Sequence, residues 1–116
     1  MKRITVFFGL ILWALAGLGL ARAEQASHLS QAREHANTAV AQGQKGDARA
    51  LAQHAETALE HVKLAYVEKP LPDLKKAIQS LEKSIQQGKD GQTEQATEHA
   101  REAIEYLDAT KGALGG

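Results

Sequence analysis

Apolar and polar positions alternate along this chain with a helical period. Four stretches, near residues 25–42, 47–66, 73–87 and 92–110, carry small or aliphatic residues three and four apart. In heptad terms the a and d positions are Leu29, Ala32, Ala36 and Ala39 in the first stretch. In the second they are Ala48, Leu51, Ala55, Ala58, Val62 and Ala65. Leu74, Ala77, Leu81 and Ser84 follow in the third, and Ala96, Ala100, Ala103 and Leu107 in the fourth. One flank, position e, is also apolar: Val40, Leu59, Tyr66, Ile78, Ile85 and Ile104. A stripe of that width suits a globular helical bundle better than a two-stranded coiled coil. The pattern predicts an all-α, antiparallel four-helix bundle with the e flank buried between hairpins.

Glycine and proline punctuate the stretches at 43–46, 68–72 and 88–91. Gly43 and Gly88 stand where a left-handed cap residue is wanted. Asp47 can cap the second helix, and Pro72-Asp73 opens the third. Shifting the sequence by 45 residues lays 32–66 on 77–111. Ala32, Gln42, Gly43, Gly46, His54, Ala55, Ala58 and Glu60 then meet Ala77, Gln87, Gly88, Gly91, His99, Ala100, Ala103 and Glu105. The bundle is therefore read as two repeated αα-hairpins, 25–66 and 73–110. Residues 111–116, with three glycines, are expected to be a flexible tail.

The N-terminus is patterned differently. Lys2 and Arg3 precede an apolar run from Ile4 to Leu20, and Ala21-Arg22-Ala23 is an A-x-A cleavage sequence. Residues 1–23 are expected to be a cleaved secretory signal peptide, delivering residues 24–116 to the periplasm. The exported chain then has 11 basic and 14 acidic side chains, since Lys2, Arg3 and Arg22 are lost from balanced totals of 14 and 14. That balance is no footprint for nucleic acid and mildly favours cations. No stable membrane association is expected after cleavage, and the chain is expected to be a monomer. There is no cysteine, which excludes disulfides, thiolate zinc sites and C-x-x-C-H haem attachment. The one methionine is Met1, so Met/His haem ligation is excluded with it. Any metal must take nitrogen and oxygen ligands, which points to copper, nickel or zinc.

All five histidines fall on the polar flank, position g. The first hairpin carries His28, His35, His54 and His61, and the second carries His99. In an antiparallel hairpin, g of one helix lies beside g of its partner. A turn at 43–46 makes facing residues total about 89 in number, which pairs His35 with His54 and His28 with His61. Within one helix the histidines are seven apart, about 10.5 Å along the axis, so a shared ion must bridge helices. His35 and His54, nearer the turn, are expected to bind more tightly than the outer pair. Ser80 is expected opposite His99, with Glu102 three residues on as a weak chelating partner. Glu34 and Glu60 are candidates to support the rings from behind. The plain alternative is a row of solvated histidines on a polar helix edge. No nucleophile elbow and no E-x-x-H pair appears, so no enzymatic activity and no carboxylate-bridged di-iron site is expected.

These residues resemble the small metal-binding protein family, short exported helical bundles rich in histidine. The matching segments are Glu34-His35-Ala36, Ala39-Val40, Gln42-Gly43 and Gly46, then His54-Ala55, Ala58-Leu59, His61 and Lys63. The run Glu98 to Leu107 matches as well. The resemblance implies reversible binding of divalent transition metals, copper among them, for buffering or detoxification. The family pattern has further histidines where this chain has Gln42, Ser80, Gln87, Gln92 and Tyr106, which makes it a histidine-depleted member. The other reading is a periplasmic interaction or stress bundle that has lost most metal binding.

Overall fold

The computed structural model describes residues 21–113, with side chains described from Ser27 to Lys111. The signal-peptide reading of residues 1–23 lies outside the described residues, save its last three. Four helices follow one another: α1 (Ala21–Gln44), α2 (Ala48–Glu68), α3 (Pro72–Lys89) and α4 (Thr93–Ala113). Contacts run α1–α2, α2–α3, α3–α4 and α4–α1, with little across the diagonals, which is the up-down-up-down bundle read from the periodicity. The helix at α4 continues to Ala113, so three residues of the expected tail are helical.

Local signals start and stop these helices. The Asp47 carboxylate accepts the Ala50 N–H at 3.0 Å and caps α2. Pro72 occupies the first turn of α3, where its missing N–H costs nothing. The two glycine turns are built alike. Gly46 N–H donates to Gly43 O and Asp47 N–H to Gln42 O, while Gly91 N–H donates to Gly88 O and Gln92 N–H to Gln87 O. The left-handed residues are Gly46 (φ 82°) and Gly91 (φ 78°), not Gly43 and Gly88 as the cap reading expected. The helix simply runs one residue past Gly43 and beyond Gly88 before it turns.

Gly43 and Gly88 serve packing instead. A Cβ on Gly43 would lie 1.9 Å from Thr97 Oγ1 and 2.7 Å from Leu51 Cδ1. A Cβ on Gly88 would lie 3.1 Å from Ala48 O and from Ala52 Cβ. The missing side chains let α1 close on α4 and α3 close on α2.

The core is thin. Among the described residues, Ala32, Ala36, Ala39, Ala55, Ala58, Ala65, Ala77, Ala96, Ala100 and Ala103 are fully buried, and the largest fully buried aliphatics are only Leu51, Leu74, Leu81 and Val62. A buried methyl-sized group contributes about 0.8 kcal/mol, against roughly 1.5–3 for a leucine or valine. Ser84 sits in this core with its hydroxyl donating to Ala96 O at 2.7 Å. The e flank is less enclosed than its pattern suggested. Ile85 is buried, whereas Val40, Leu59, Tyr66, Ile78 and Ile104 are half-buried against the core. Alanine seams draw the helices close, so a bulky e residue is held at the rim.

Candidate metal site

The first hairpin brings its four histidines into one column. His28 and His61 face each other with Nδ1 atoms 3.0 Å apart and ring centroids 5.2 Å apart. His35 and His54 lie with centroids 5.8 Å apart and planes tilted by 21°. Both are the pairs set by the turn register. A third contact was not foreseen: His35 also stacks on His61, at 6.2 Å and 9°. The order along the column is therefore His28, His61, His35, His54, alternating between α1 and α2.

The diagonal contact has a geometric cause. Side chains on a helix lean toward its N-terminus. In this hairpin α1 leans away from the 43–46 turn, and α2 leans toward it. His35 and His61 are thereby tipped toward each other, although their Cα atoms are not level. The same lean operates in the second hairpin. His99 Nδ1 meets Gln87 Oε1 at 2.7 Å, and the Ser80 hydroxyl donates to Glu102 at 3.0 Å. The expected Ser80–His99 pairing is therefore not formed, because both residues are drawn one step along the diagonal. Ser80 itself is buried rather than lying on an open polar edge.

The column is half-enclosed, and charge matters within it. Burial lowers the His61 pKa below its ordinary 6.5; repulsion from His28 and then His35 lowers it further, and Glu60 opposes the shift. His61 is therefore biased toward the neutral form, which can accept a hydrogen bond or ligate. One Nδ1–H of the His28–His61 pair donates to the other Nδ1 lone pair. Glu60 is exposed on α2, next to His61 in the chain, and its charge opposes the lowering of the His61 pKa. Glu34 is exposed on α1, and its main-chain carbonyl accepts the Thr38 hydroxyl. Glu102 is engaged by Ser80 across the α3–α4 seam, on the rim of a shallow depression that His99, Glu98, Arg101 and Glu105 also line.

The donor set fits a transition metal. Two imidazole nitrogens at metal distances of about 2.0–2.1 Å are separated by roughly 3.3 Å in a tetrahedral shell and about 2.9 Å at a square-planar right angle. The 3.0 Å between His28 and His61 falls in that span. An ion held by both nitrogens would lie off the line of the hydrogen bond, so both rings would have to turn to aim their lone pairs at it. Among the described residues, no three His, Asp or Glu side chains converge as a preformed ligand set. The pair needs a third ligand brought from His35, from a carboxylate or from water.

Residues 1–110 match the family described as small metal-binding protein. No curated protein matches the chain. The match spans nearly the whole sequence, and the chain belongs to the small metal-binding protein family.

Proposed function

We propose that this member of the family binds divalent transition-metal ions reversibly through the histidine column of its first hairpin, and so buffers or detoxifies them in the periplasm. The observation that carries the reading is the His28–His61 pair, whose Nδ1 atoms already stand at the separation two ligands of one ion require. Copper is the favoured ion, because imidazole sites bind it above nickel and zinc in the divalent series. His35, stacked on His61, is the nearest further imidazole and would turn out of that stack to supply a third donor. His54 follows next in the column, and His99 lies apart in the other hairpin as a lone imidazole. The geometry favours the outer pair as the first site, against the expectation that the pair nearer the turn binds more tightly. Pre-positioned donors lose less freedom on binding than donors that must turn.

Such a site is half-open and incomplete, which suits a carrier that must also release its ion. It has no activated nucleophile and no paired acid and base, so a binding role accounts for it without catalysis. Export rests on the N-terminal pattern, which the family match includes from residue 1. Removal of residues 1–23 would leave a chain in which, among the described residues, no helix is long and apolar enough to cross a membrane. The test is copper titration of protein recovered from a periplasmic fraction, read by native mass spectrometry, with its N-terminus sequenced. The reading expects a start at Glu24 and at least one bound copper, lost in His28→Ala/His61→Ala. Protein that takes up no copper at micromolar concentration would leave the interaction-bundle reading in its place.

A further inference from the structure

The two hairpins differ at one rung of the repeat. Laying 32–66 on 77–111 puts Ser80 where the first hairpin has His35, His99 where it has His54, and Glu102 where it has Thr57. The second hairpin thus has one imidazole fewer at that rung and a carboxylate one turn further along α4. In the first hairpin the Thr57 hydroxyl bonds back to the Gln53 carbonyl of its own helix. Glu102 instead reaches across the seam, where the buried Ser80 hydroxyl donates to its Oε1 at 3.0 Å.

Both α4 side chains are aimed from α3. Gln87 Oε1 has only lone pairs to offer, so in its 2.7 Å contact with His99 the Nδ1 carries the proton. Neutral His99 is thereby held as the Nδ1–H tautomer, with its lone pair on Nε2. A ring N–H donated to a carbonyl is the usual way a metal-ligating histidine is oriented. Ser80 does the corresponding work for Glu102, engaging Oε1 and leaving Oε2 open. His99 and Glu102 are three apart on one helix, so they are surface neighbours, and Glu102 leans toward the N-terminus of α4, the direction of His99. Both line one shallow depression, with Glu98, Arg101 and Glu105 around it. Arg101 is paired with Glu98 at 2.8 Å, and the carboxylates outnumber the guanidinium. The field there favours a cation.

We propose that His99 and Glu102 form a second, independent site for a divalent transition-metal ion, with one imidazole nitrogen, one carboxylate oxygen and water to complete the shell, and that Gln87 and Ser80 are its positioning residues. Zinc takes both donor types at about 2.0–2.2 Å. Two donors hold an ion less tightly than three, so this site fills after the column. It uses no residue of the column and stands or falls apart from the reading above.

Zinc(II) alone is the probe, because it is diamagnetic: NMR follows the imidazole rings of the purified exported chain while native mass spectrometry counts ions. In the metal-free protein at about pH 8, where imidazole is neutral, His99 should be the Nδ1–H tautomer, and Gln87→Ala should release it. Once the column is filled, further zinc should shift His99 Nε2 and leave Nδ1 protonated, and wild type should take up one ion more than His99→Gln. Glu102→Gln keeps an acceptor for Ser80 and should lose about tenfold or more in affinity at this site, at least what an orienting partner costs. Gln87→Ala and Ser80→Ala should each cost about tenfold, the low end for residues that orient a ligand. Gln87→Glu, which can only accept from His99, should restore the loss. His61→Ala should leave this site within about twofold, as for distant independent changes. A His99 ring unmoved while the column takes up zinc overturns the second site and leaves the binding reading standing. Zinc held at His99 equally well by Glu102→Gln means a lone imidazole and overturns the proposal. Gln87→Ala affinity equal to wild type overturns the positioning role. Zinc on His99 with the column empty sinks the column reading and supports this site, and zinc on neither hairpin overturns both.

Discussion

His28 and His61 stand 33 residues apart in sequence and 3.0 Å apart at their Nδ1 atoms. The pair is made by a three-residue connection, Lys45 to Asp47, between two helices long enough to reach it. His61 also carries His35 on its other side, so one ring is shared between two neighbours. That sharing orders the effect of mutations.

His61→Ala is expected to cost the most copper affinity of any single histidine change, on the order of a hundredfold, the upper end of what removing even a supporting partner of a ligand costs. His28→Ala should come next, then His35→Ala and His54→Ala. Competition titration against a chelator of known affinity gives the ranking. A larger loss from His54→Ala than from His28→Ala would return the tighter site to the turn end.

His99→Ala should leave copper affinity at the first hairpin within about twofold of wild type. Its ring is held by Gln87 on the α3–α4 seam and has no histidine neighbour there. The same competition titration reads the effect. A tenfold loss would mean that the two hairpins share one ion.

Acid should act on both binding and stability. Protons compete with metal for imidazole, so affinity should fall steeply from about pH 7 to about pH 5. The lowered His61 pKa makes the folded metal-free protein hold fewer protons than the unfolded chain in the window just below 6.5. The stability that follows is present above 6.5 and is lost as pH falls through the lower folded value. Urea midpoints of the metal-free protein across pH 5 to 7.5 should therefore rise with pH, and His61→Gln should flatten that rise. A midpoint that stayed level in wild type would contradict the enclosed setting of His61.

The two glycines of the first turn should fail differently. Gly46→Ala meets open space but keeps φ near 82°, so it should cost roughly 1–2 kcal/mol that no neighbouring change restores. Gly43→Ala gains about 1 kcal/mol of helix propensity but places a Cβ against Thr97, and overpacking costs about 1–3 kcal/mol. Adding Thr97→Ala should recover stability for Gly43→Ala and not for Gly46→Ala. Thermal melts of the four variants decide it; equal rescue of both would remove the steric account.

Much of this was legible because alanine, glycine and histidine each repeat at a fixed step. Ala32, Ala36 and Ala39 announce a buried stripe whatever their partners are, and the turn length sets the 28–61 and 35–54 register by counting alone. The diagonal stack of His35 on His61 was not legible from counting. It comes from the lean of side chains along their helices, which moves a ring several ångströms from its Cα. The same omission mispaired Ser80 with His99. The left-handed cap falls at Gly46 and not at Gly43 for another reason. Both glycines fit a helix end, and only the position of Thr97 on a distant helix tells which one must lack a Cβ. Distant neighbours also hold the e residues at the rim, since the depth of a groove depends on the small residues opposite.

The turn at 43–46 works as a gauge block. One residue more in it would rotate α2 by about 100° and slide it by about 1.5 Å relative to α1. His54 and His61 would swing off the seam with their sequence neighbours unchanged. Loop length, usually the most freely varied dimension of a helical bundle, here decides which histidines face each other. A homologue or a design that kept every histidine and lengthened this turn would carry the same residues without the column.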